Sequence, residues 1–194
     1  MTRSTTLILA AGGLATATNA DTLLEVDLST VDQITITATS GLSDATINGS
    51  DTTGWYLADI FGAPATTFVD DDLVSGDLTA AANSSDGTPS LFTSTFTVGT
   101  GLNIFSVTDD PELSFTAGSQ AFSGSATWTI DSVSYNNLVA GSPVGSTGTI
   151  FFPADTDDDI PDATALGTYR VVPTPGAATL VGFGLAGFAA RRRR

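Results

Sequence analysis

Residues 121–130 read Ala-Phe-Ser-Gly-Ser-Ala-Thr-Trp-Thr-Ile, and this stretch decides the fold class. Every second position from Phe122 to Ile130, except Gly124, is apolar, and serine or threonine fills the positions between them. A period of two predicts a β-strand with one buried face and one polar face. Trp128 is the largest residue on the apolar face, so we expect it at the centre of the core.

The same alternation recurs in residues 33–39 and 91–98, and clusters of Gly, Asp, Asn and Pro separate the apolar stretches. Such a series of short strands and turns predicts a mainly β chain, as an antiparallel β-sandwich or jelly-roll-like domain. Residues 55–61 fit a strand or one short helix, and residues 78–82 fit another short element. Further strands are predicted at 23–28, 45–48, 66–69, 102–107, 113–116, 133–135, 149–152 and 168–172.

The composition excludes several function classes. The 194 residues include 21 acidic and 6 basic residues, all six of them arginine, and no histidine or cysteine. A Ser-His-Asp or Cys-His nucleophile, an ordinary zinc site and a redox pair of cysteines are therefore absent, and no lysine can form a Schiff base or serve a P-loop. Segment 21–172 holds one arginine against 21 carboxylates, a net charge of −20, which argues against nucleic acid as a partner.

The first twenty residues have the layout of a secretory signal peptide. Arg3 gives a positive start, residues 7–15 form an apolar stretch too short to cross a bilayer, and small residues follow up to Ala20. We expect the general secretion machinery to export the chain and cleavage to follow Ala20, with Ala17 as the alternative. Segment 1–20 is thus predicted to be a signal helix, and 21–170 the exported domain.

Segment 171–194 differs in character from the domain before it. Residues 176–190 contain no charged residue, and four arginines follow them directly. As a helix, these 15 residues reach roughly 22 Å, shorter than a hydrocarbon core of about 30 Å, so thinning of the bilayer or embedded flanks must supply the difference. Arginines at this end predict a stop in the cytoplasm. They are Arg191, Arg192, Arg193 and Arg194.

The order of these features is more specific than their hydropathy. Val172, Pro173, Thr174 and Pro175 precede Gly176, and the Gly- and Ala-rich run and the arginines complete the last 23 residues. This tail resembles the PEP-CTERM sorting signal of exported bacterial proteins, whose motif typically reads Val-Pro-Glu-Pro-Gly, with threonine here in place of the glutamate. The resemblance implies a membrane protease of the exosortase type as partner, cleavage near the motif, and a host that makes exopolysaccharide. The alternative is a plain single-pass anchor.

Acidic clusters are the only candidates for a metal site. Asp155, Asp157 and Asp159 alternate like the first ligands of an EF-hand loop, but Ile160 occupies the glycine position and Leu166 stands where the loop needs glutamate. We therefore reject an EF-hand and keep two interpretations, an irregular calcium site and a solvated acidic loop, of which the loop is favoured. Residues 70–72 with Asp77 allow the same two interpretations more weakly. No other cofactor is expected.

The sequence favours a non-enzymatic function. No pair of carboxylates stands out as a catalytic acid and base, so we expect no catalytic residues, and a secreted hydrolase is a distant third hypothesis. The leading hypothesis is an exported surface or extracellular-matrix protein, anchored in the inner membrane through its C-terminal helix before processing. The alternative is a carbohydrate-binding module for matrix polysaccharide, which would use residues 55–56 and 135–137 as an exposed aromatic platform.

Overall fold

The computed structural model describes residues 20–50, 54–62, 71–84, 89–92, 100–105, 112–153 and 163–173. The described part is mainly β, which confirms the predicted class. It contains one α-helix, α1 (Ser132–Gly141), and a short 3₁₀ helix (Ala81–Asn83). The strands are β1 (Thr22–Asp27), β2 (Gln33–Ala38), β3 (Ile47–Ser50), β4 (Trp55–Leu57), β5 (Asp71–Gly76), β6 (Thr79–Ala80), β7 (Ser90–Phe92), β8 (Leu102–Phe105), β9 (Glu112–Phe115), β10 (Phe122–Ser123), β11 (Ser125–Ile130), β12 (Thr147–Phe152) and β13 (Thr164–Val172).

Nine of these strands form one sheet in the order β5-β11-β2-β1-β13-β12-β4-β8-β7. The sheet curls until its two ends meet, because β5 also contacts β7. Trp128 bridges the same gap from β11: its indole is 0 % exposed and Nε1 donates a 3.0 Å hydrogen bond to the carbonyl of Pro89, directly before β7. The expected burial of Trp128 is confirmed, and its position makes it a link between the two ends of the sheet.

Two small antiparallel sheets, β3 with β9 and β6 with β10, share the core of the large sheet. A chain of aromatic rings joins the three sheets. Phe122 on β10 lies 5.0 Å from Trp55 of β4 and 5.4 Å from Phe115 of β9, measured between ring centroids. Phe115 in turn lies 5.1 Å from Phe152 of β12. These tilted and edge-on contacts are the preferred geometry for aromatic pairs.

The first and last described strands lie side by side at the centre of the large sheet. β1 pairs with β13 in parallel, from Thr22 opposite Thr168 to Asp27 opposite Val172, whereas every other pair of described strands is antiparallel. The sheet is therefore mixed, and the expectation of a purely antiparallel domain is corrected at this pair. Because parallel strands point the same way, the start of β1 and the end of β13 lie at opposite ends of the domain.

The predicted strand at 133–135 is wrong, because these residues begin α1. The Oδ1 atom of Asp131 accepts hydrogen bonds of 2.9 Å from the backbone N–H groups of both Val133 and Ser134, which caps the helix. The Ser142 N–H closes the other end on the Leu138 carbonyl. Capping here outweighs the strand propensity of valine and tyrosine.

The end of α1 packs closely against the turn after β4. A Cβ atom on Gly141 would lie 2.0 Å from the backbone nitrogen of Gly62, so glycine is needed for this approach. Beside it, the Ser142 hydroxyl donates to the Ile60 carbonyl at 2.8 Å, and the Tyr169 hydroxyl of β13 donates to the Ala58 carbonyl at 2.7 Å. This end of the core is therefore tied together by buried polar groups.

Tyr169 gives the domain a predicted sensitivity to alkali. Its side chain is 1 % exposed, and burial raises the pKa of its hydroxyl above the ordinary value of about 10. Since the folded state holds this proton more tightly, the stabilisation is complete below about pH 10 and is lost as the pH rises toward the folded-state pKa. In Tyr169→Phe, we expect stability to be lower by about 1 kcal/mol at pH 8 and to fall less steeply above pH 10.

Denaturant unfolding between pH 8 and pH 11 measures this effect. The control is Tyr135→Phe, which removes the hydrogen bond from the Tyr135 hydroxyl to the Leu28 carbonyl but leaves Tyr169 in place. This control should keep the alkaline slope of the parent protein. Equal slopes for Tyr169→Phe and the parent protein would contradict the prediction.

Other predicted elements are found with shifted bounds or lie outside the described residues. Residues 55–61 form a short strand followed by a turn, and β5 was not predicted, because its side chains from Asp72 to Gly76 are exposed and show no alternation. The predicted strand at 66–69 lies outside the described residues, as do residues 1–19 and 174–194. In the described part of the chain, no helix is long and apolar enough to cross a membrane.

Candidate functional site

The predicted sorting motif begins where the last central strand ends. Val172 is still part of β13 and pairs with Asp27 of β1, and Pro173 follows as an exposed residue. Pro173 has no N–H to donate to a neighbouring strand, so β-pairing stops here. The motif therefore joins the folded domain directly, without an intervening linker. Thr174 and Pro175 lie outside the described residues.

An open apolar groove of about 100 Å³ lies beside this exit point. Four separate segments form it: the turn after β1, α1, the turn before β12, and the end of β13. We call it the exit groove, and its lining residues are Leu28, Ser29, Val139, Ser142, Pro143, Val144, Val171 and Val172.

Hydrogen bonds hold the walls of the exit groove in place. The N–H of Gly145 donates to the Val171 carbonyl and the N–H of Val171 donates to the Ser146 carbonyl, each at 2.8 Å, so the turn before β12 is fixed to β13. The Tyr135 hydroxyl ties α1 to the Leu28 carbonyl at 2.8 Å. The groove is consequently part of the folded scaffold, and its lining includes Val171 and Val172, the last two residues of β13.

Several valines around the exit groove are exposed to solvent. Val144 is 64 % exposed and Val139 is 43 % exposed, and Val31, in the same β1–β2 turn as Leu28, is 70 % exposed. Single exposed apolar residues are common on protein surfaces, but these three share the end of the domain where the chain leaves. This end is therefore the candidate contact surface of the domain.

The other predicted site residues fall in two groups. Ala20, the predicted cleavage residue, is exposed and lies two residues before the start of β1, at the end of the domain opposite the exit groove. The predicted membrane-stop arginines and the three aspartates of the candidate calcium site lie outside the described residues.

The aromatic residues considered for a carbohydrate platform are mostly buried. Trp55 is 1 % and Tyr56 is 4 % exposed, and Trp55 belongs to the aromatic chain of the core. Tyr135 is partly buried and packs against the same core. The rings of Trp55 and Tyr56 therefore cannot present a flat face to a sugar at the surface.

Several of the described carboxylates form hydrogen bonds or ion pairs within the fold. Oδ1 of Asp77 accepts the backbone N–H of Ser125 at 3.0 Å, and Glu25 forms an ion pair of 2.6 Å with Arg170 across the β1–β13 pair. Both partners of this pair are substantially exposed, so it contributes at most about 1 kcal/mol. Within the described ranges, no group of three or more acidic side chains could hold a metal ion.

The acidic run 155–162 supports a prediction about salt and calcium. Repulsion within the acidic segment 21–172 disfavours a compact state, and salt screens it, so we expect the melting temperature to rise with ionic strength. A calcium site would add a rise at low millimolar calcium, where general screening is slight. Melting curves in chelator, in calcium and in sodium chloride of matched ionic strength separate the two effects.

The control for this experiment changes Asp155, Asp157 and Asp159 to Asn. If calcium binds there, the additional rise disappears in this variant. If calcium and sodium give identical curves for the parent protein, the run is a solvated acidic loop, which is the favoured interpretation.

No protein family model, curated protein or solved structure matches this chain. The exit groove was missed by sequence analysis, because its four segments come together only in the folded state. One wall of the groove, α1, did have a local signal in the sequence. Asp131, followed by two serines within three residues, is typical of a helix start.

Proposed function

We propose that the chain is an exported, non-enzymatic protein of the cell surface or extracellular matrix, delivered by its C-terminal tail. In this proposal a membrane protease of the exosortase type recognises Val172, Pro173, Thr174 and Pro175 and cuts near them. Before processing, the apolar run 176–190 holds the protein in the inner membrane, with Arg191–Arg194 in the cytoplasm. The domain itself acts as the cargo.

The observation that carries this proposal is the order of features in one chain. A signal-peptide layout precedes the domain, and a Pro-x-Pro motif, a short apolar run and an arginine cluster follow it. The position of the motif supports it further, because a protease can reach an extended peptide only where β-pairing has stopped. Pro173 lies at such a place and is exposed.

A carbohydrate-binding module acting on matrix polysaccharide is the second candidate, but no observation favours it. Its three candidate aromatic residues are buried or partly buried. A binding surface without these rings would have to use the hydroxyl rows of β2 and β11. There, Thr35 bonds to Thr127 at 2.8 Å and Thr37 bonds to Ser125 at 2.7 Å, so these hydroxyls already have partners within the sheet.

We also propose that the domain is a variant of the sandwich or jelly-roll type. The two small sheets face the curled large sheet across a shared core, which supports a two-layer arrangement. The parallel β1–β13 pair is a departure from the usual antiparallel pattern of such domains.

Mass spectrometry of the native protein tests the function. We expect the mature chain to begin at Asp21, or at Thr18 if the alternative cleavage is used, and to lack residues 176–194 after sorting. The expected C-terminus lies at or near the segment 172–175. An exported protein that retains Met1, or one that retains Arg194 in a host with the sorting protease, contradicts the proposal.

A further inference from the structure

We propose that the end of the domain around the exit groove rests on the headgroup layer of the bilayer that holds the tail. This contact surface, the exit face, consists of Val31, Val139, Pro143, Val144 and Val172, around the groove whose floor includes the buried Leu28. The proposal rests on the proposed function only in that the apolar run 176–190 must be inserted in a membrane. Beyond the proposed function, this inference gives the orientation of the domain on the membrane and adds a contact between the folded domain and lipid.

The length of chain after the fold limits how far the exit face can lie from the membrane. Only Thr174 and Pro175 separate Pro173 from Gly176, where the apolar run begins, so the chain takes three residue steps between them. The Pro-Thr-Pro segment favours an extended polyproline conformation, and at about 3.1 Å per residue it spans about 9 Å. The headgroup layer on one side of a bilayer is about 5–7 Å thick, so the segment reaches little beyond it.

The short apolar run further reduces the distance between the exit face and the bilayer. At roughly 22 Å the run falls about 8 Å short of the hydrocarbon core, and the flanks must enter the interface to compensate. On the cytoplasmic side, the arginine side chains can extend back to the headgroups. On the other side, the flank is the exit face itself, which is drawn toward the lipid.

The exit face is chemically suited to this position. Val31, Val144 and Val139 are 70 %, 64 % and 43 % exposed, and the exit groove beside them is lined mainly by apolar side chains. Carboxylates are costly at a lipid surface, and three lie close to the exit face in the chain. Asp32 follows Val31 directly and is half-buried, and the other two accept hydrogen bonds from the protein backbone. Asp27 accepts from Ser29 N–H at 2.8 Å, and Asp131 caps α1.

The tail itself is a poorer occupant of the exit groove. To fold back, the chain would have to reverse within the Pro-Thr-Pro segment, and both prolines restrict it to extended conformations. We therefore expect an inserted tail to leave the groove open. The parallel β1–β13 pair then places the mature N-terminus about 20 Å from the exit face, since β1 has six residues at about 3.3 Å each.

Single-cysteine labelling tests the contact, because the chain has no cysteine of its own. The protein is purified from the membrane of a host that exports it but lacks the sorting protease, and is reconstituted in phosphatidylcholine vesicles carrying a shallow nitroxide quencher. A fluorescent label is placed at Val31→Cys or Val144→Cys. The control is Leu42→Cys, which is 43 % exposed and lies beside Asp21, at the opposite end.

The labels at positions 31 and 144 are expected to lose most of their emission, and the label at position 42 to keep it. If the protein floats with the vesicles and all three labels stay bright, the contact of the exit face with lipid is overturned, while the anchoring tail stands. If the protein does not float with the vesicles, the membrane tail fails, and both proposals fail with it.

A charge variant adds a second readout. Val31→Asp combined with Val144→Asp should restore most of the emission of a label at Val139→Cys, because two carboxylates at the exit face oppose contact with lipid. The matched control is Leu73→Asp with Val74→Asp, which changes two exposed apolar residues of β5 by the same charge. Emission that stays quenched in the first variant, or that is restored equally in both, overturns the proposal.

Discussion

Replacing Trp128 with alanine is expected to lower the free energy of unfolding by about 3–5 kcal/mol, a large part of the total for a domain of this size. The side chain is 0 % exposed, and its removal leaves a cavity in the core. It also leaves the Pro89 carbonyl without the Nε1 donor that lies 3.0 Å away. Because this bond links the two ends of the curled sheet, both packing and closure are lost together. Denaturant unfolding at neutral pH measures the effect.

Two variants divide this loss into its parts. Trp128→Phe keeps an aromatic ring but removes the donor, and we expect a loss between those of the parent protein and the alanine variant. Thr129→Ala changes the next residue of β11, whose side chain is on the opposite face, and should cost less than about 1 kcal/mol. A loss for Trp128→Ala no greater than that for Thr129→Ala would contradict the role given to the indole.

Replacing Pro173 and Pro175 with alanine is expected to abolish processing of the tail. Without these prolines, β13 can extend and the apolar helix can begin earlier, so the peptide is no longer held open for a protease. The apolar run and its arginines are unchanged, so the protein should stay in the membrane at full length. The measurement is the mass and the membrane fraction of the protein in a host that has the sorting protease.

Two further variants make this result specific. Pro161→Ala, in the acidic segment outside the motif, should be processed like the parent protein. The variant without Arg191–Arg194 should show a different defect. Loss of the cytoplasmic stop should let the chain pass through the inner membrane uncut. Normal processing of the double proline variant would remove Pro173 and Pro175 from the recognition motif.

Much of the fold class could be predicted because strand formation leaves a local pattern. The alternation in residues 33–38 and 125–130 is visible in the printed sequence, and both stretches are strands with the expected buried face. A local pattern also gave the wrong strand prediction at 133–135. Val133 and Tyr135 favour a strand by propensity, but the side chain of Asp131 accepts the hydrogen bonds that start a helix. The exposed edge strand β5 has no alternation by which it could be recognised.

The sequence by itself determined the class of the domain, its strong negative charge, and the expectation that segments 1–20 and 171–194 direct its export and anchoring, because these properties depend on residues that are neighbours in the chain. Only the tertiary structure decided that β1 and β13 pair in parallel and that four distant segments meet in the exit groove. The pairing of strands depends on contacts between residues up to about 150 positions apart, such as Thr22 and Thr168, and no short-range pattern records which strands will meet.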